Sequence, residues 1–282
     1  MAATVSAEQR SRGPLLTLEL VQRMQAAALQ GVSSLRCSLD LGRSEGTIEI
    51  AGADWSYKGC TYPFPQRCRE RTVYYWNGSA FEPAARYSGS LIKLVPTEWG
   101  APTFEIDGIK MLPSARLSPY EDARTKVALI EPRGKVILDC CGGLGYFAAW
   151  CLDGGAAQVH SFEKNTDVLW LRTLNPWSPS PAVRLSLEQA DIALHIRTLA
   201  DASSDAILHD PPRFGIAGEL YSQEFYGELA RVLRARGKLF HYTGSPNKLT
   251  SARDVPREVA TRLRRAGFRP EMRADGVLAI RN

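Results

Sequence analysis

Residues 118–282 alternate between short apolar runs and segments with helical periodicity, and this alternation restricts the possible folds more than any other feature. The runs KVILD, QVHSFE and DAILH have the length and composition of buried strands, and segments such as DVLWLRTLN separate them. A chain that alternates strand and helix in this way builds a parallel sheet with right-handed crossovers. The sequence therefore predicts a doubly wound α/β domain over residues 115–282.

The ends of several elements in this domain can also be predicted. Ser118, followed by Pro119 and by Glu121, has the pattern of a helix start. Helical periodicity over residues 222–236 continues to Gly237, so we expect one helix there, followed by the strand KLFHYTG. The last residues, EMRADGVLAIR, predict a terminal hairpin.

The N-terminal part has a different pattern. Residues 15–31 predict one helix that ends at Gly31, and short alternating runs separated by turn residues follow it. Asn77-Gly78 and Asp107-Gly108 lie between such runs and are strong hairpin signals. We therefore expect residues 1–114 to form a small α+β module with one leading helix and many antiparallel hairpins.

Composition excludes several classes of protein. The chain has 282 residues, of which 44% are hydrophobic and 23% are charged, so it is neither disordered nor fibrous. Its apolar runs are shorter than the roughly 18 residues of a membrane span. Residues 1–14 lack the apolar core of a secretion signal. We expect a cytoplasmic protein with no membrane partner.

The cysteines and histidines predict neither disulfides nor a metal site. The six cysteines contain no C-x-x-C pair, and Cys140 and Cys141 lie in an apolar context. Reduced, buried thiols are the simplest interpretation. The four histidines have no zinc-type spacing with the cysteines, so no metal is expected.

Charge is distributed unevenly, and two interpretations remain open. The net charge is +5, and residues 211–282 carry 14 Lys and Arg against 7 Asp and Glu, whereas residues 131–210 carry 6 against 10. A basic segment can bind a phosphate backbone. Arginines on amphipathic helices, such as Arg262, Arg264 and Arg265, can equally form a solvated face, and charge alone slightly favours that interpretation.

A glycine-rich turn follows the first strand of the α/β domain. The segment DCCGGLG, residues 139–145, opens a helix, and glycines there let a ligand approach backbone N–H groups. Glu163 ends the next strand, 24 residues after Asp139, at the spacing of an acid that binds ribose hydroxyls. Asp191 follows the third strand, where a polar side chain could bind an adenine amine.

Together these features resemble the class I S-adenosylmethionine-dependent methyltransferases, which have a Rossmann-like sheet. The resemblance covers residues 118–282 and implies S-adenosyl-L-methionine as the cofactor. Cys141 stands where that family usually has its first glycine. A nicotinamide site is the competing interpretation, with Ala148 in the place of the third glycine, but nothing in the segment DPPRF serves hydride transfer. The residues that the resemblance places at the cofactor are Asp139, Cys141, Gly143, Gly145, Glu163, Lys164, Asp191 and Asp210.

The segment DPPRF, residues 210–214, is the most specific motif. It resembles the Asp-Pro-Pro-aromatic motif of methyltransferases that act on exocyclic amino groups of adenine and cytosine. An acidic side chain and a rigid proline carbonyl can accept the two N–H bonds of such an amine, and an aromatic ring can stack on the base. The resemblance implies a catalytic role for Asp210, Pro211, Pro212 and Phe214, and substrate contacts for Arg213, Phe214, Tyr221 and Tyr242.

More neutral roles are also open at these positions. Asp210 could simply cap a rigid loop at a strand end, and His209 and His241 are expected to be satisfied polar residues. Tyr120, Glu121 and Lys126 could cover the cofactor or only begin a helix.

A second resemblance extends beyond the motif. Residues 209–244, with FEIDGIKM, PYEDARTK and LNPWS upstream, resemble a family of predicted methyltransferases of archaeal type. That family is distantly similar to polyamine aminopropyltransferases, which place a β module before the sheet but lack the diproline. The resemblance implies N-methylation of an exocyclic amino group, with a nucleobase of RNA as the first hypothesis and cytosine N4 of ribosomal RNA as the specific candidate. The alternatives are a small-molecule amine methyltransferase, a polyamine aminopropyltransferase and a non-catalytic binding module.

Overall fold

The computed structural model describes residues 13–244 and 254–282. The chain divides into two compact units, Met1–Ser114 with Leu174–Pro176, and Ala115–Thr173 with Trp177–Asn282. Residues 1–12, which are most of the segment that lacks the apolar core of a secretion signal, lie outside the described residues. In the described part of the chain, no helix combines the length and the apolar composition that a membrane crossing requires.

The first unit has one helix and eleven short strands in its described part. These elements are, in chain order, β1 (Leu15–Leu16), α1 (Leu18–Leu29), β2 (Ser34–Cys37), β3 (Gly46–Ala51), β4 (Asp54–Tyr57), β5 (Cys60–Pro63), β6 (Tyr74–Trp76), β7 (Phe81–Pro83), β8 (Ala85–Tyr87), β9 (Leu91–Val95), β10 (Thr103–Ile106) and β11 (Ile109–Lys110). They form antiparallel sheets of order β1-β6-β7, β2-β3-β4-β5 and β11-β10-β9-β8. The predicted hairpins at Asn77-Gly78 and Asp107-Gly108 are confirmed, since β6 pairs with β7 and β10 with β11.

The prediction that the first helix covers residues 15–31 is wrong at its start. Leu15 and Leu16 form a strand that pairs with β6, with Leu16 opposite Tyr74. The helix begins only after Thr17, whose side chain accepts a hydrogen bond from the Leu20 N–H at 3.3 Å. Sequence periodicity alone could not separate two buried leucines of a strand from the same apolar face of a helix.

The second unit contains the predicted α/β fold. Its elements are, in chain order, α2 (Pro119–Ile130), β12 (Val136–Asp139), α3 (Tyr146–Asp153), β13 (Gln158–Glu163), α4 (Thr166–Leu174), β14 (Leu185–Gln189), α5 (Ile192–His195), β15 (Ser204–His209), α6 (Gln223–Val232), β16 (Leu233–Tyr242), α7 (Val255–Arg265), β17 (Phe268–Arg273) and β18 (Gly276–Arg281). The sheet order is β14-β13-β12-β15-β16-β18-β17, with the first five strands parallel and β18 antiparallel to both neighbours. The Rossmann-like doubly wound sheet is therefore confirmed, and so is the terminal hairpin.

The predicted helix over residues 222–236 is too long. Helix α6 ends at Val232, and β16 begins at the fully buried Leu233, which is extended. The pairing of β16 with β15 shifts in register after Leu233, and Arg236 has a left-handed φ of 62°. Burial of the leucine beside β15 overrides the helical propensity of the arginine-rich segment.

Candidate active site

The carboxyl ends of five parallel strands bring the predicted site residues to one edge of the sheet. Asp139 ends β12 and lies opposite Ser161 of β13, and Glu163 ends β13. Asp191 follows β14, and Asp210 follows β15. Open sheets of this kind bind their ligands at this edge, where the strand order reverses on either side of the first strand.

The glycine turn packs directly on side chains beneath it. A Cβ atom on Gly142 would lie 2.3 Å from Ser161 Oγ, and one on Gly145 would lie 2.5 Å from Arg172 Cζ. Gly145 also has a φ of 82° and begins α3 without a side-chain cap. These two positions need glycine because protein atoms fill the space that a side chain would occupy. Gly142 was not among the predicted binding residues.

Beneath the turn lies a buried network of an acid, a hydroxyl and a guanidinium. Ser161 Oγ donates a hydrogen bond to Asp139 Oδ2 at 2.8 Å, and Arg172 Nη1 donates one to Ser161 Oγ at 3.3 Å. Asp139 is fully buried and Arg172 is 2% exposed. Burial raises the pKa of the Asp139 carboxyl to about 6, against the lowering effects of the Ser161 hydrogen bond and the Arg172 charge. Asp139 Oδ1 and Arg172 Nε and Nη2 have no hydrogen-bond partner among the described residues.

Glu163, at the end of β13, is hydrogen-bonded to the same turn. Its Oε2 accepts a hydrogen bond from the Gly143 N–H and its Oε1 one from the Asn165 N–H, each at 2.9 Å. Burial raises the pKa of the carboxyl, and these hydrogen bonds oppose the shift. Each carboxylate oxygen keeps a further lone pair, so Glu163 can still accept hydrogen bonds from a ligand.

Lys164, which follows β13, and Asp191, which lies just after β14, form an ion pair. Asp191 Oδ1 accepts the Ala193 N–H at 3.0 Å and caps α5, and Asp191 Oδ2 lies 2.7 Å from Lys164 Nζ. Lys164 is exposed, and its hydrogen bond to Asp191 raises its pKa. Capping is therefore one role of Asp191, and the pair lies at the edge where adenine is expected.

These residues fit the nucleoside and amino-acid parts of S-adenosylmethionine. The donor set offers carboxylate oxygens with free lone pairs at Glu163 and Asp191, and an unpartnered buried oxygen at Asp139. Hydroxyls and ammonium groups are the natural partners of such acceptors. Helix α3 starts after Gly145 with no side-chain cap, so its first backbone N–H groups can bind a ligand.

The diproline loop lies beside this region. The Tyr221 hydroxyl donates a hydrogen bond to the Pro212 carbonyl at 3.1 Å, and the Tyr221 ring makes an edge contact with Phe214 at 5.4 Å. Phe214 is partly buried against the core, whereas Arg213 is exposed. Tyr221 thus fixes the loop, and the remaining predicted substrate residue, Tyr242, ends the adjacent strand β16.

Asp210 has an unusual electrostatic environment for a carboxylate. Desolvation raises its pKa to about 7, the Lys126 charge opposes the shift, and the charges of Asp122, Asp139 and Asp275 add to it. An acid whose pKa lies near neutrality can exchange protons at physiological pH, as a general base must.

The two histidines at the strand ends are buried, and the expectation that both are fully hydrogen-bonded is wrong for His209, whose Nδ1 has no partner among the described residues. His209 and His241 face each other across β15 and β16, with ring centroids 4.5 Å apart, and both are fully buried. His241 Nε2 lies 3.0 Å from the Tyr226 hydroxyl and its Nδ1 lies 2.8 Å from the Tyr242 carbonyl. Desolvation lowers the pKa of both rings, that of His209 to about 4, so both are neutral at pH 7.

Several residues of this region were missed by the sequence analysis. Arg172 was hidden in a helical segment, although an arginine among the apolar residues of DVLWLRTL is a recognisable signal. Asp275 lies in the final hairpin turn, and nothing local to its sequence indicates proximity to Asp210.

Cys141 is partly buried, and burial raises its thiol pKa well above the ordinary value. The six cysteines are all unpaired.

Comparison with known proteins places the fold and the family. The chain matches no family model. A spermidine synthase in complex with the transition-state analogue AdoDATO has a TM-score of 0.56 at 17% identity, over 70% of this chain and 71% of that one. The spermidine synthase of Thermotoga maritima has a TM-score of 0.53 at 17% identity, over 77% and 80% of the chains. MNMC2 of Aquifex aeolicus has a TM-score of 0.51 at 18% identity, over 70% and 71%. At these identities the shared feature is the fold.

A closer similarity exists at the level of sequence. The uncharacterized protein MJ1233 of Methanocaldococcus jannaschii is 40% identical over 209 residues, which are 72% of this chain and 70% of that protein. Identity of this extent, over most of both chains, requires common descent and a common fold. The chain belongs to the same family as MJ1233.

Proposed function

We propose that this protein is an S-adenosylmethionine-dependent N-methyltransferase that acts on an exocyclic amino group. The observation that carries the proposal is the position of Asp210. It leaves β15 at the same sheet edge as the glycine turn, it begins a rigid diproline loop, and its pKa is about 7. At that position Asp210 would accept amino N–H bonds next to the methyl donor.

The donor side would be held by the residues around the glycine turn. Glu163 would accept the ribose hydroxyls, Asp191 would lie by the adenine, and Asp139, Cys141, Gly143 and Gly145 would surround the methionine part. When bound, S-adenosylmethionine supplies a methyl group on a good leaving group. The chain's own contribution is positioning, which can provide a large part of the rate advantage.

On the acceptor side, Asp210 and Pro211 would orient the amine. The Asp210 carboxylate and the Pro211 carbonyl each accept one N–H, which directs the nitrogen lone pair toward the methyl carbon. The N–C bond forms as the C–S bond breaks, and the proton lost by nitrogen passes to Asp210. The rings of Phe214 and Tyr242 would flank the substrate, and Tyr221 would keep the Pro212 backbone in place.

A nucleobase of RNA is the first substrate class, with cytosine N4 of ribosomal RNA as the specific candidate. The exposed Arg213 directly follows the diproline and could bind a phosphate beside the flipped base. Arg264 and Arg265 end α7, and Phe268 then pairs with Arg281 near the start of β16. They therefore lie toward the opposite edge of the sheet, and Arg213 is the better candidate for an RNA contact.

A small cationic amine is the second substrate class, and a specific observation favours it. The charges of Asp122, Asp139 and Asp275 all act on Asp210, and an anionic surrounding attracts ammonium groups. The fold is also that of two spermidine synthases. Transfer of an aminopropyl group to an amine is the corresponding alternative reaction.

The test is a transfer assay with methyl-labelled S-adenosylmethionine and separate RNA, DNA, protein and small-metabolite fractions. We expect label in RNA, and nucleoside analysis should find it on an amino nitrogen. Label only among small metabolites would replace RNA by a small amine. In a parallel assay with decarboxylated S-adenosylmethionine labelled in its aminopropyl group, transfer of that label to an amine, without methyl transfer, would establish the aminopropyl reaction. Binding without transfer to any fraction would contradict an enzymatic role.

A further inference from the structure

Helix α2 places a buried ammonium group among the side chains around Asp210. Lys126 is only 1% exposed, and its Nζ lies 2.5 Å from Asp122 Oδ2, one turn earlier on the same helix. The same Nζ lies 4.0 Å from the centre of the Tyr242 ring. A buried charge is costly unless it is paired. The Asp122 carboxylate and the face of the Tyr242 ring both stabilise the ammonium of Lys126, and together they hold it at one position.

The strand register brings this ammonium toward Asp210. His209 of β15 is paired with His241 of β16, so the next residues, Asp210 and Tyr242, leave neighbouring strands side by side. Lys126 lies on the ring of Tyr242, and Asp210 is the strongest charge acting on the Tyr242 hydroxyl. The three side chains therefore belong to one cluster.

We infer that Lys126 is a positioning residue of the acceptor site, and that its ammonium keeps the Asp210 carboxylate ionised and available to accept an amino N–H. This inference rests on the proposed function. Lys126 need not touch the substrate, because it acts through the charge of Asp210. Asp122 holds the ammonium in place. Its negative charge partly offsets the effect of the ammonium on Asp210.

The charged and titratable groups around Asp210 explain why one cation matters. Among the charges that act most strongly on this carboxyl within the described residues, Lys126 is the positive one, and the others are carboxylates that favour the protonated acid. The neutral groups of the cluster are Cys141 of the glycine turn, Tyr221, which lies between the diproline loop and α6, and Tyr242 at the end of β16. The charged and titratable groups around Asp210 are Lys126 and Asp122 from α2, Asp139 from β12, Asp275 from the final hairpin, Arg213, whose charge acts on Tyr242, and Cys141, Tyr221 and Tyr242.

The first test is the pH dependence of kcat/KM for transfer. Lys126→Met should move the acidic limb of the profile up by about one pH unit, which lowers the rate about fivefold at pH 7 and restores it near pH 9. Lys126→Arg should keep the wild-type limb. Asp122→Asn should move the limb in the opposite direction, since it removes a carboxylate and frees the ammonium. Arg124→Met, an exposed cation on the same helix, is the matched control and should leave the limb unchanged.

A second measurement does not depend on turnover. Titration of ¹³C-labelled aspartate carboxyls by NMR, with Asp210 assigned from Asp210→Asn, should find the same opposite shifts in the Lys126→Met and Asp122→Asn variants. Should Lys126→Met not fold, Asp122→Asn and Lys126→Arg still test the inference. Equal Asp210 titration in wild type and both charge variants would overturn it. Opposite shifts in an inactive protein would keep the electrostatic coupling and contradict the proposed function instead.

Discussion

The guanidinium of Arg172 lies directly against Gly145, so closely that a Cβ atom on Gly145 would stand 2.5 Å from Arg172 Cζ. Arg172 belongs to α4 and Gly145 begins α3, so the contact joins two helices beneath the glycine turn. The guanidinium also acts as a counter-charge for Asp139 and Glu163. The shape of the turn is thereby set from below, by a side chain that need not contact the cofactor.

Replacement of Gly145 by alanine should disrupt this arrangement. The φ of 82° strains any other residue, and the new methyl group would collide with Arg172. We expect a loss of about 2 to 4 kcal/mol in the free energy of unfolding, and weaker binding of S-adenosylmethionine by calorimetry. Gly155→Ala is the control, because φ is 81° there but the nearest atom is 3.8 Å away. Equal losses in both variants would mean that backbone strain, and not the Arg172 contact, dominates.

The Asp210 carboxylate should destabilise the folded protein at alkaline pH. Its pKa is about 7 in the folded state, against about 3.9 in an unfolded chain. Between these values the folded state keeps a proton that the unfolded state has lost, so this group's contribution to stability falls as the pH rises. Asp210→Asn should therefore be more stable than wild type at pH 8, by about 1 to 3 kcal/mol, and equal to it below pH 4. Urea unfolding across this range measures the difference, and a constant difference would contradict the raised pKa.

If RNA is the substrate, charge reversal distinguishes Arg213 from the arginines at the end of α7 as the RNA contact. Arg213→Glu should weaken RNA binding about tenfold and reduce its salt dependence, because Arg213 follows the diproline at the carboxyl end of β15. Arg264→Glu and Arg265→Glu should have little effect, since both residues lie toward the other edge. Binding isotherms at several salt concentrations would measure this. A larger loss for the α7 variants would move the RNA-binding surface to that helix.

The thiols of the glycine-rich turn should be unreactive. Burial raises the pKa of Cys141 and Cys140 well above the ordinary value, whereas Cys60 is exposed. A maleimide at pH 7.5 should modify Cys60 first and leave Cys140 and Cys141 intact until the protein unfolds. Peptide mapping identifies the sites. Rapid modification of Cys141 that S-adenosylmethionine prevents would instead make it an accessible thiol of the binding site.

The order of strands and helices in the second unit was predictable because each buried strand is a short apolar run with turn residues at its ends. The same patterns located Asp139, Glu163, Asp191 and Asp210, since a parallel sheet collects its strand ends at one edge. What sequence could not supply was set by distant contacts. Leu233 leaves the predicted helix because it is buried beside β15, and Leu15 and Leu16 join a strand 58 residues further along the chain.

The electrostatics of the candidate site could not be predicted either. Lys126 had a possible role near the cofactor, but its pairing with Asp122 and its position over Tyr242 depend on how α2 packs against the sheet. Asp275 acts on Asp210 only because the final hairpin inserts beside β16. Charges that meet through tertiary structure leave no local pattern in the sequence.

The most direct test of the central claim compares wild type with Asp210→Ala in two measurements on the same samples. Calorimetry would measure binding of S-adenosylmethionine, and a transfer assay would measure methylation of amino nitrogen in unmodified RNA. We expect both proteins to bind with nearly equal affinity, and only wild type to transfer the methyl group. Undiminished transfer by Asp210→Ala, or loss of cofactor binding together with transfer, would contradict the role assigned to Asp210.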